Sequence, residues 1–275
     1  MKKFFLPLAI LLFTQAVPPH PSLTWCAIGD SITYLNDHTD ETGGRVSTGY
    51  LSRVKAALPY ISYSNQGHNG WTSGGIAAAI DTLKLTKADV YSVFLGTNDW
   101  WQGRPLGSMD EYRTNAGNNT VFGSFRIIIN KIRRLNPAAK IILVTPMQRT
   151  DFVYINGSKN NAWGCYRDKN GQSLKSFADA VVAIAKYEHA AIINLYEKKG
   201  MDISRLVRFK RLKDPQTGQY RDYHYPAYTT IPFNPATDAY PYPPEAMDIT
   251  FDGLHPSDKG NQLIADLFTE ILQRY

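Results

Sequence analysis

The sequence predicts an α/β fold: a mostly parallel five-stranded sheet covered on both faces by helices. Three observations predict it. Short apolar runs rich in β-branched and aromatic residues recur about five times, segments of helical period separate them, and no internal repeat of useful length competes.

The first run, LTWCAI (23 to 28), ends at Gly29 and reads as the first strand. YISYSN (60 to 65), DVYSVFLG (89 to 96), KIILVTP (140 to 146) and AAIINLY (190 to 196) supply the others. Between them, helices are expected at GYLSRVKAAL (49 to 58) and at GGIAAAIDTLKL (74 to 85), where Ile76, Ile80 and Leu83 share a face. VFGSFRIIINKIRRL (121 to 135) closes on basic residues and then Asn136-Pro137, a helix stop, and SLKSFADAVVAIAKYEH (173 to 189) follows. The last helix, SDKGNQLIADLFTEILQRY, begins at a Ser or Asp cap and carries Leu263, Ile264, Leu267, Phe268 and Ile271 at helical spacing. A Tyr/Pro-rich stretch from about 209 to 247 has neither helical nor alternating period. A loop of that length, so rich in aromatics, is expected to be an ordered lid or binding loop that could cover a site.

The chain has 275 residues, 43% hydrophobic and 20% charged, the balance of a globular protein rather than a disordered one. MKKFFLPLAILLFTQAVPPH reads as a signal peptide: two lysines, an apolar stretch and a small residue, Ala16, ahead of Val17-Pro18-Pro19. Cleavage there leaves one domain over 17–275 and implies a secreted or periplasmic protein. No later stretch is long enough to span a bilayer, so stable membrane insertion is not expected. Without the first sixteen residues the net charge falls from +6 to about +4, with no dense basic run. The nearest candidate, RLVRFKRLK (205 to 213), mixes charged with apolar positions and reads as a solvated helix face, so no nucleic-acid partner is expected. Cys26 and Cys165 make neither a disulfide framework nor a metal spacing. Cys26 in its apolar run reads as a buried free thiol, with a single bridge left open. His20, His38, His189 and His224 show no metal-ligand spacing and are assigned no role.

In a parallel sheet with helices on both faces, ligands meet the loops at the carboxyl ends of the strands. The first strand is followed by Gly29-Asp30-Ser31, the second by NQGHNGWTSGG (65 to 75), the third by GTNDWW (96 to 101), and DGLHPS (252 to 257) precedes the last helix. Each alone is ordinary turn or cap chemistry. Together they supply what acyl transfer requires. A serine hydroxyl needs a general base, which His255 can be at neutral pH. The imidazole needs a carboxylate to fix its tautomer, and Asp252 lies three residues earlier. A developing oxyanion needs preorganised donors, for which the Ser31 amide, the Gly70 amide and the Asn98 side chain are candidates. Acyl transfer by these groups calls for neither metal nor organic cofactor. Ser31 is not in a Gly-x-Ser-x-Gly elbow, since residue 33 is Thr, which disfavours the α/β-hydrolase fold.

GDSIT, NQGHNGWTS, GTND and DGLHPS, in that order and spacing, resemble the four blocks of the SGNH hydrolases, also called GDSL esterases and lipases. The resemblance spans about residues 23 to 273. It implies a flavodoxin-like three-layer α/β/α sandwich, with Ser31 as nucleophile, Asp252 and His255 completing the triad, and Gly70 and Asn98 joining the Ser31 amide in the oxyanion hole. Gly67 competes with Gly70; the latter is preferred because it lies five residues after Asn65 and directly before Trp71-Thr72. Asp30 is expected to organise its turn, and Asp248 is the nearest rival to Asp252. His68 is a loop residue or a substrate contact, and Trp71, Trp100 and Trp101 are packing or a substrate wall. The expected activity is hydrolysis of a small-molecule or glycan ester, acetylated carbohydrate foremost. A lipase, lysophospholipase or thioesterase of the same family is the alternative, and a non-catalytic glycan-binding protein is the alternative of another class.

Overall fold

The structure, a computed structural model, describes residues 21–275, so the expected signal segment lies outside the described residues. Its strands are β1 (Leu23–Gly29), β2 (Ile61–Gly67), β3 (Val90–Phe94), β4 (Lys140–Val144), β5 (Phe152–Val153), β6 (Asn161–Ala162), β7 (Ala191–Ile193), β8 (Lys210–Lys213) and β9 (Tyr220–Tyr223). Its helices are α1 (Ser31–Tyr34), α2 (Tyr50–Ala57), α3 (Ser73–Ala79), α4 (Thr97–Trp101), α5 (Met109–Thr114), α6 (Val121–Leu135), α7 (Leu174–Glu188), α8 (Ile203–Leu206) and α9 (Asp258–Leu272). The five apolar runs form one sheet in the order β2-β1-β3-β4-β7, and every pairing in it is parallel.

Alternation along the strands divides the core in two. Cys26 and Ile28 of β1, Tyr91 and Val93 of β3, and Ile141 and Leu143 of β4 pack with α3, α6 and α7. Trp25 and Ala27, Val90 and Phe94, and Ile142 and Val144 face α2 and α9 instead. Strands buried on both faces are what make these runs almost continuously apolar. On the second face Phe268 lies 4.9 Å from Trp25 and 5.3 Å from Tyr50, ring centre to ring centre. Side-chain caps start the helices: Thr120 accepts from Gly123 N on α6, Ser173 from Ser176 N on α7 and Ser257 from Gly260 N on α9. The last of these settles the Ser-or-Asp choice in favour of Ser257.

Three expectations are corrected. The helix expected over 74–85 stops at Ala79, because the Thr82 hydroxyl and amide both donate to the Ala79 carbonyl and Lys84 turns left-handed at φ 51°. RLVRFKRLK is no solvated helix face: a single short turn, α8, gives way to β8, whose Lys210 and Leu212 point inward. The Tyr/Pro-rich stretch is ordered, but it is partly a β8–β9 hairpin, and it does not roof the cavity that holds Ser31. Its Tyr228 and Tyr242 form a small core with Val153, Val207 and Leu212, and it lines a neighbouring cavity of about 210 Å³. Cys26 is buried and unpaired, as expected from its apolar run, and Cys165 is unpaired too.

Candidate active site

The strand order changes direction between β1 and its two neighbours, so the carboxyl end of β1 is flanked by those of β2 and β3. Gly29 pairs with Gly67 on one side and Phe94 on the other. Residues just beyond these ends must therefore converge. Ser31 begins α1, and Asp30 caps it by accepting the Ile32 amide at 3.0 Å. More than two hundred residues later, a bridge between Thr250 and Pro256 closes the loop that carries Asp252 and His255. His255 Nε2 lies 2.8 Å from Ser31 Oγ, and His255 Nδ1 lies 2.7 Å from Asp252 Oδ2. The other Asp252 oxygen accepts the amides of His255 at 2.7 Å and Leu254 at 3.0 Å. The carboxylate is thereby fixed, and it fixes the ring. Phe251 stacks near the imidazole and Phe152 meets it edge-on, with ring centres 5.9 and 5.4 Å away. An imidazole held this way can take a proton from a hydroxyl and return it to a leaving group. Asp248 is elsewhere, paired with Lys259.

The candidate oxyanion donors Gly70 and Asn98 lie beyond β2 and β3. The His68 amide donates to the Gly29 carbonyl at 3.0 Å and the Trp71 amide to the His68 carbonyl at 3.1 Å, which makes residues 68–71 a tight turn. Gly70 occupies its third position with φ 72°, a conformation that favours glycine. A Cβ there would meet nothing within 4 Å, whereas a Cβ on Gly67 would lie 2.2 Å from the Tyr34 amide nitrogen. Gly67 is thus required by the packing of β2 on α1, and Gly70 lies at the open cavity. Gln102 Nε2 holds the Gly70 carbonyl at 2.9 Å, and Asn98 Nδ2 donates to the Trp71 carbonyl at 3.0 Å. An amide nitrogen carries two N–H groups, so Asn98 keeps one to offer.

Ser31, Gly70, Asn98, Trp101, Arg149 and His255 line one cavity of about 410 Å³, a size suited to a small ligand. Phe152, Tyr154 and Ala162, from the β5–β6 hairpin and its approaches, complete one wall. Sequence reasoning missed Arg149 and this hairpin. β5 and β6 are two residues each, too short for a periodic signal, and Arg149 follows β4 without any motif. The other tempting residues separate. Trp101 lines the cavity, but Trp100 is fully buried, with its indole N–H donating to the Gln172 carbonyl at 2.9 Å, so it is packing and not a substrate wall. His68 and Trp71 stack on each other at 4.5 Å and do not line the cavity.

Burial sets the electrostatics. It pushes the Asp30 carboxyl up to about 6, against the Ile32 hydrogen bond and the nearby His255, which pull it down. It raises Asp99 despite two hydrogen bonds from Ser73, lowers His68, and lowers the Arg149 guanidinium to about 10, which leaves Arg149 charged at neutral pH. No group of three or more His, Cys, Asp or Glu among the described residues is placed to hold a metal ion.

A family model, the GDSL-like lipase/acylhydrolase family, matches residues 27–263. Among solved structures the chain is similar to a protein from Chitinophaga pinensis described as "a possible lipase", at 62% identity over 92% of this chain and 98% of that one, with a TM-score of 0.91. It also resembles a Lactobacillus plantarum protein at 18% identity, covering 93% of this chain and 98% of that one with a TM-score of 0.62. An acetyl xylan esterase, AlAXEase, shares 16% identity over 91% of this chain and 100% of that one, with a TM-score of 0.53. The last two bear on the fold alone. No curated protein matches the chain.

Proposed function

Because the chain belongs to the GDSL-like lipase/acylhydrolase family, we propose that it is a serine esterase that removes small acyl groups, acetyl above all, from carbohydrate. The observation that carries this reading is the chain of hydrogen bonds from Ser31 Oγ through His255 to Asp252, 2.8 and 2.7 Å, opening on a cavity of about 410 Å³. Ser31 Oγ attacks the acyl carbon as His255 Nε2 takes its proton. The Ser31 and Gly70 amides and the second N–H of Asn98 receive the oxyanion. Collapse expels the alcohol, which takes the proton from His255, and leaves an acyl-serine. Water, deprotonated by the same imidazole, attacks the acyl-serine, and collapse releases the acid as His255 returns the proton to Ser31 Oγ.

The choice of a polar alcohol rests on the rim of the cavity, where Asn69, Gln102 and Asn160 offer amide groups that suit sugar hydroxyls. The large apolar side chains most exposed among the described residues, such as Tyr187, Ile192 and Tyr220, lie outside this cavity. No helix among the described residues is long and apolar enough to cross a membrane. We assign the protein to the secreted or periplasmic space on its N-terminal segment, which N-terminal sequencing of exported protein checks. A lipid or other long-chain ester is the second reading, favoured by the 62% identity to the Chitinophaga pinensis protein. Acetate release across acetylated glycans, with Ser31→Ala as control, tests the first reading. Undiminished turnover by Ser31→Ala would sink the mechanism, and a steep preference for long acyl chains would replace the carbohydrate reading with the lipid one.

A further inference from the structure

Arg149 is a charged residue at the cavity that this mechanism leaves unused. The residue is 1% exposed, yet it lines the same cavity as Ser31, Asn98 and His255. Its guanidinium carbon lies 5.4 Å from the Trp100 ring centre and 5.3 Å from that of Trp101, contacts that hold the planar group without neutralising it. Nε and Nη2 have no hydrogen-bond partner among the described residues.

A buried cation normally recruits a carboxylate, because its desolvation is otherwise uncompensated. Both nearby acids are already committed. Asp151 receives Lys210 Nζ at 2.7 Å on one oxygen, and the Gly164 amide at 2.8 Å and the Tyr166 hydroxyl at 2.6 Å on the other. Asp252 is filled by His255 and two backbone amides. Glu41 also lines the cavity, where one of its oxygens accepts from the Tyr34 hydroxyl at 2.8 Å and lies 3.7 Å from His38 Nδ1, and it makes no ion pair with Arg149. Lys169 Nζ, 4.5 Å from the Trp101 ring centre, adds a second positive charge to the same aromatic group. Arg149 lines the cavity, so a counter-charge bound there beside Ser31 would lie next to a guanidinium whose Nε and Nη2 are buried as well as unpartnered.

We propose that Arg149 is a carboxylate-recognising subsite of the catalytic cavity, so that the preferred esters carry an acid group on the acyl or the sugar side. The proposal rests on Ser31 being the nucleophile in this cavity. It narrows the substrate class from neutral acyl sugars to esters of uronate-bearing glycans or half-esters of dicarboxylic acids. Charge-assisted hydrogen bonds to a buried guanidinium discriminate strongly, so a preference of tenfold or more is expected.

Two arms separate the two sources of the carboxylate. One compares kcat/KM for O-acetylated methyl glucuronoside and O-acetylated methyl glucoside. The other compares 4-nitrophenyl hemisuccinate with 4-nitrophenyl butyrate. At least one arm is expected to favour the acid by tenfold or more, with the preference falling to about one in Arg149→Gln and partly kept in Arg149→Lys. Calorimetric binding of free glucuronate and succinate, against glucose, to the Ser31→Ala protein gives a readout that needs no turnover. Hydrolysis with no acid preference in either arm would overturn the subsite and leave the esterase reading standing. Acid binding to Ser31→Ala with no Ser31-dependent turnover of any ester would do the reverse. An equal loss on charged and neutral esters in both Arg149 variants would reduce Arg149 to a support for Trp101 and also overturn the proposal.

Discussion

Asp99 grips Ser73 with both carboxylate oxygens, one accepting the Ser73 hydroxyl at 2.6 Å and the other its amide at 2.8 Å. Asp99 follows Asn98 directly, and Ser73 begins α3 just beyond the turn that holds Gly70. The pair therefore sets the separation of the two loops assigned the oxyanion donors. Asp99 is fully buried, with Arg104 Nε 3.3 Å away on one oxygen. Ser73→Ala should leave that oxygen short of a donor, costing about 1–3 kcal/mol of stability. It should also lower kcat by about tenfold to a hundredfold with KM little changed, because misplaced donors act on the transition state. Chemical denaturation and steady-state kinetics on a short aryl ester measure both. A change confined to stability would remove the loops' spacing as a catalytic factor.

Gly67 and Gly70 stand three residues apart and should respond in opposite ways to alanine. At Gly67 the new Cβ would collide with the backbone of α1, 2.2 Å from the Tyr34 nitrogen and 2.6 Å from its Cα. Backbone cannot give way cheaply, so Gly67→Ala should lose about 3 kcal/mol or more and express poorly. At Gly70 there is room, and the cost is the left-handed backbone, about 1–2 kcal/mol. Gly70→Ala should fold and yet lose about tenfold or more in kcat as its amide shifts. A folded, fully active Gly70→Ala would take this amide out of the mechanism.

How much of this was legible in the sequence follows from the kind of signal each part leaves. β1, β3 and β4 are buried on both faces, so their residues are apolar in long runs and could be read directly. The Ser31, Asn98 and Asp252–His255 positions were legible because each sits where an apolar run stops, or where a helix cap begins, and local chemistry changes abruptly there. Arg149 left no such mark: an arginine after a strand is ordinary, and only the fold puts it against Trp100 and Trp101. Lys210 misled for a related reason. Charge in RLVRFKRLK suggested solvent, but the ion pair with Asp151 lets this lysine sit at 1% exposure. Trp100 and Trp101 are neighbours with opposite fates because α4 turns one ring into the core and the other to the cavity.

Asp252→Asn tests the orientation of His255 and not the nucleophile itself. The Asp252 oxygens serve the His255 ring on one side and two backbone amides on the other. An asparagine can satisfy one side only, since its nitrogen donates where an acceptor is needed. Losing the ring's acceptor should favour the wrong tautomer and cut kcat by about a thousandfold to ten-thousandfold, with the fold retained. Ser31→Ala combined with Asp252→Asn should be no worse than Ser31→Ala alone, because the triad acts as a unit. Additive losses in the double variant would separate Asp252 from Ser31.

Asp30, beside the proposed nucleophile, makes a prediction about pH. Asp30 is 2% exposed, and its carboxyl accepts the Ile32 amide at 3.0 Å. Burial raises it from an ordinary value of 3.8 to about 6, so the folded chain holds this proton more tightly than the unfolded chain does. Below about pH 4 both states are protonated and Asp30 contributes no pH dependence. Between about pH 4 and 6 the unfolded state ionises first, and stability falls as pH rises. Above about 6 the loss is complete, on the order of 3 kcal/mol for a proton held this much more tightly in the folded chain. Asp30→Asn keeps an oxygen for the Ile32 amide and removes the charge. It should therefore be more stable than the parent at pH 7.5, with the gap closing toward pH 4. Thermal melts of the two proteins across that range measure the gap. A gap of constant size would mean that Asp30 ionises no differently in the folded chain, and the buried carboxyl would then have to be solvated or paired in a way its surroundings do not provide.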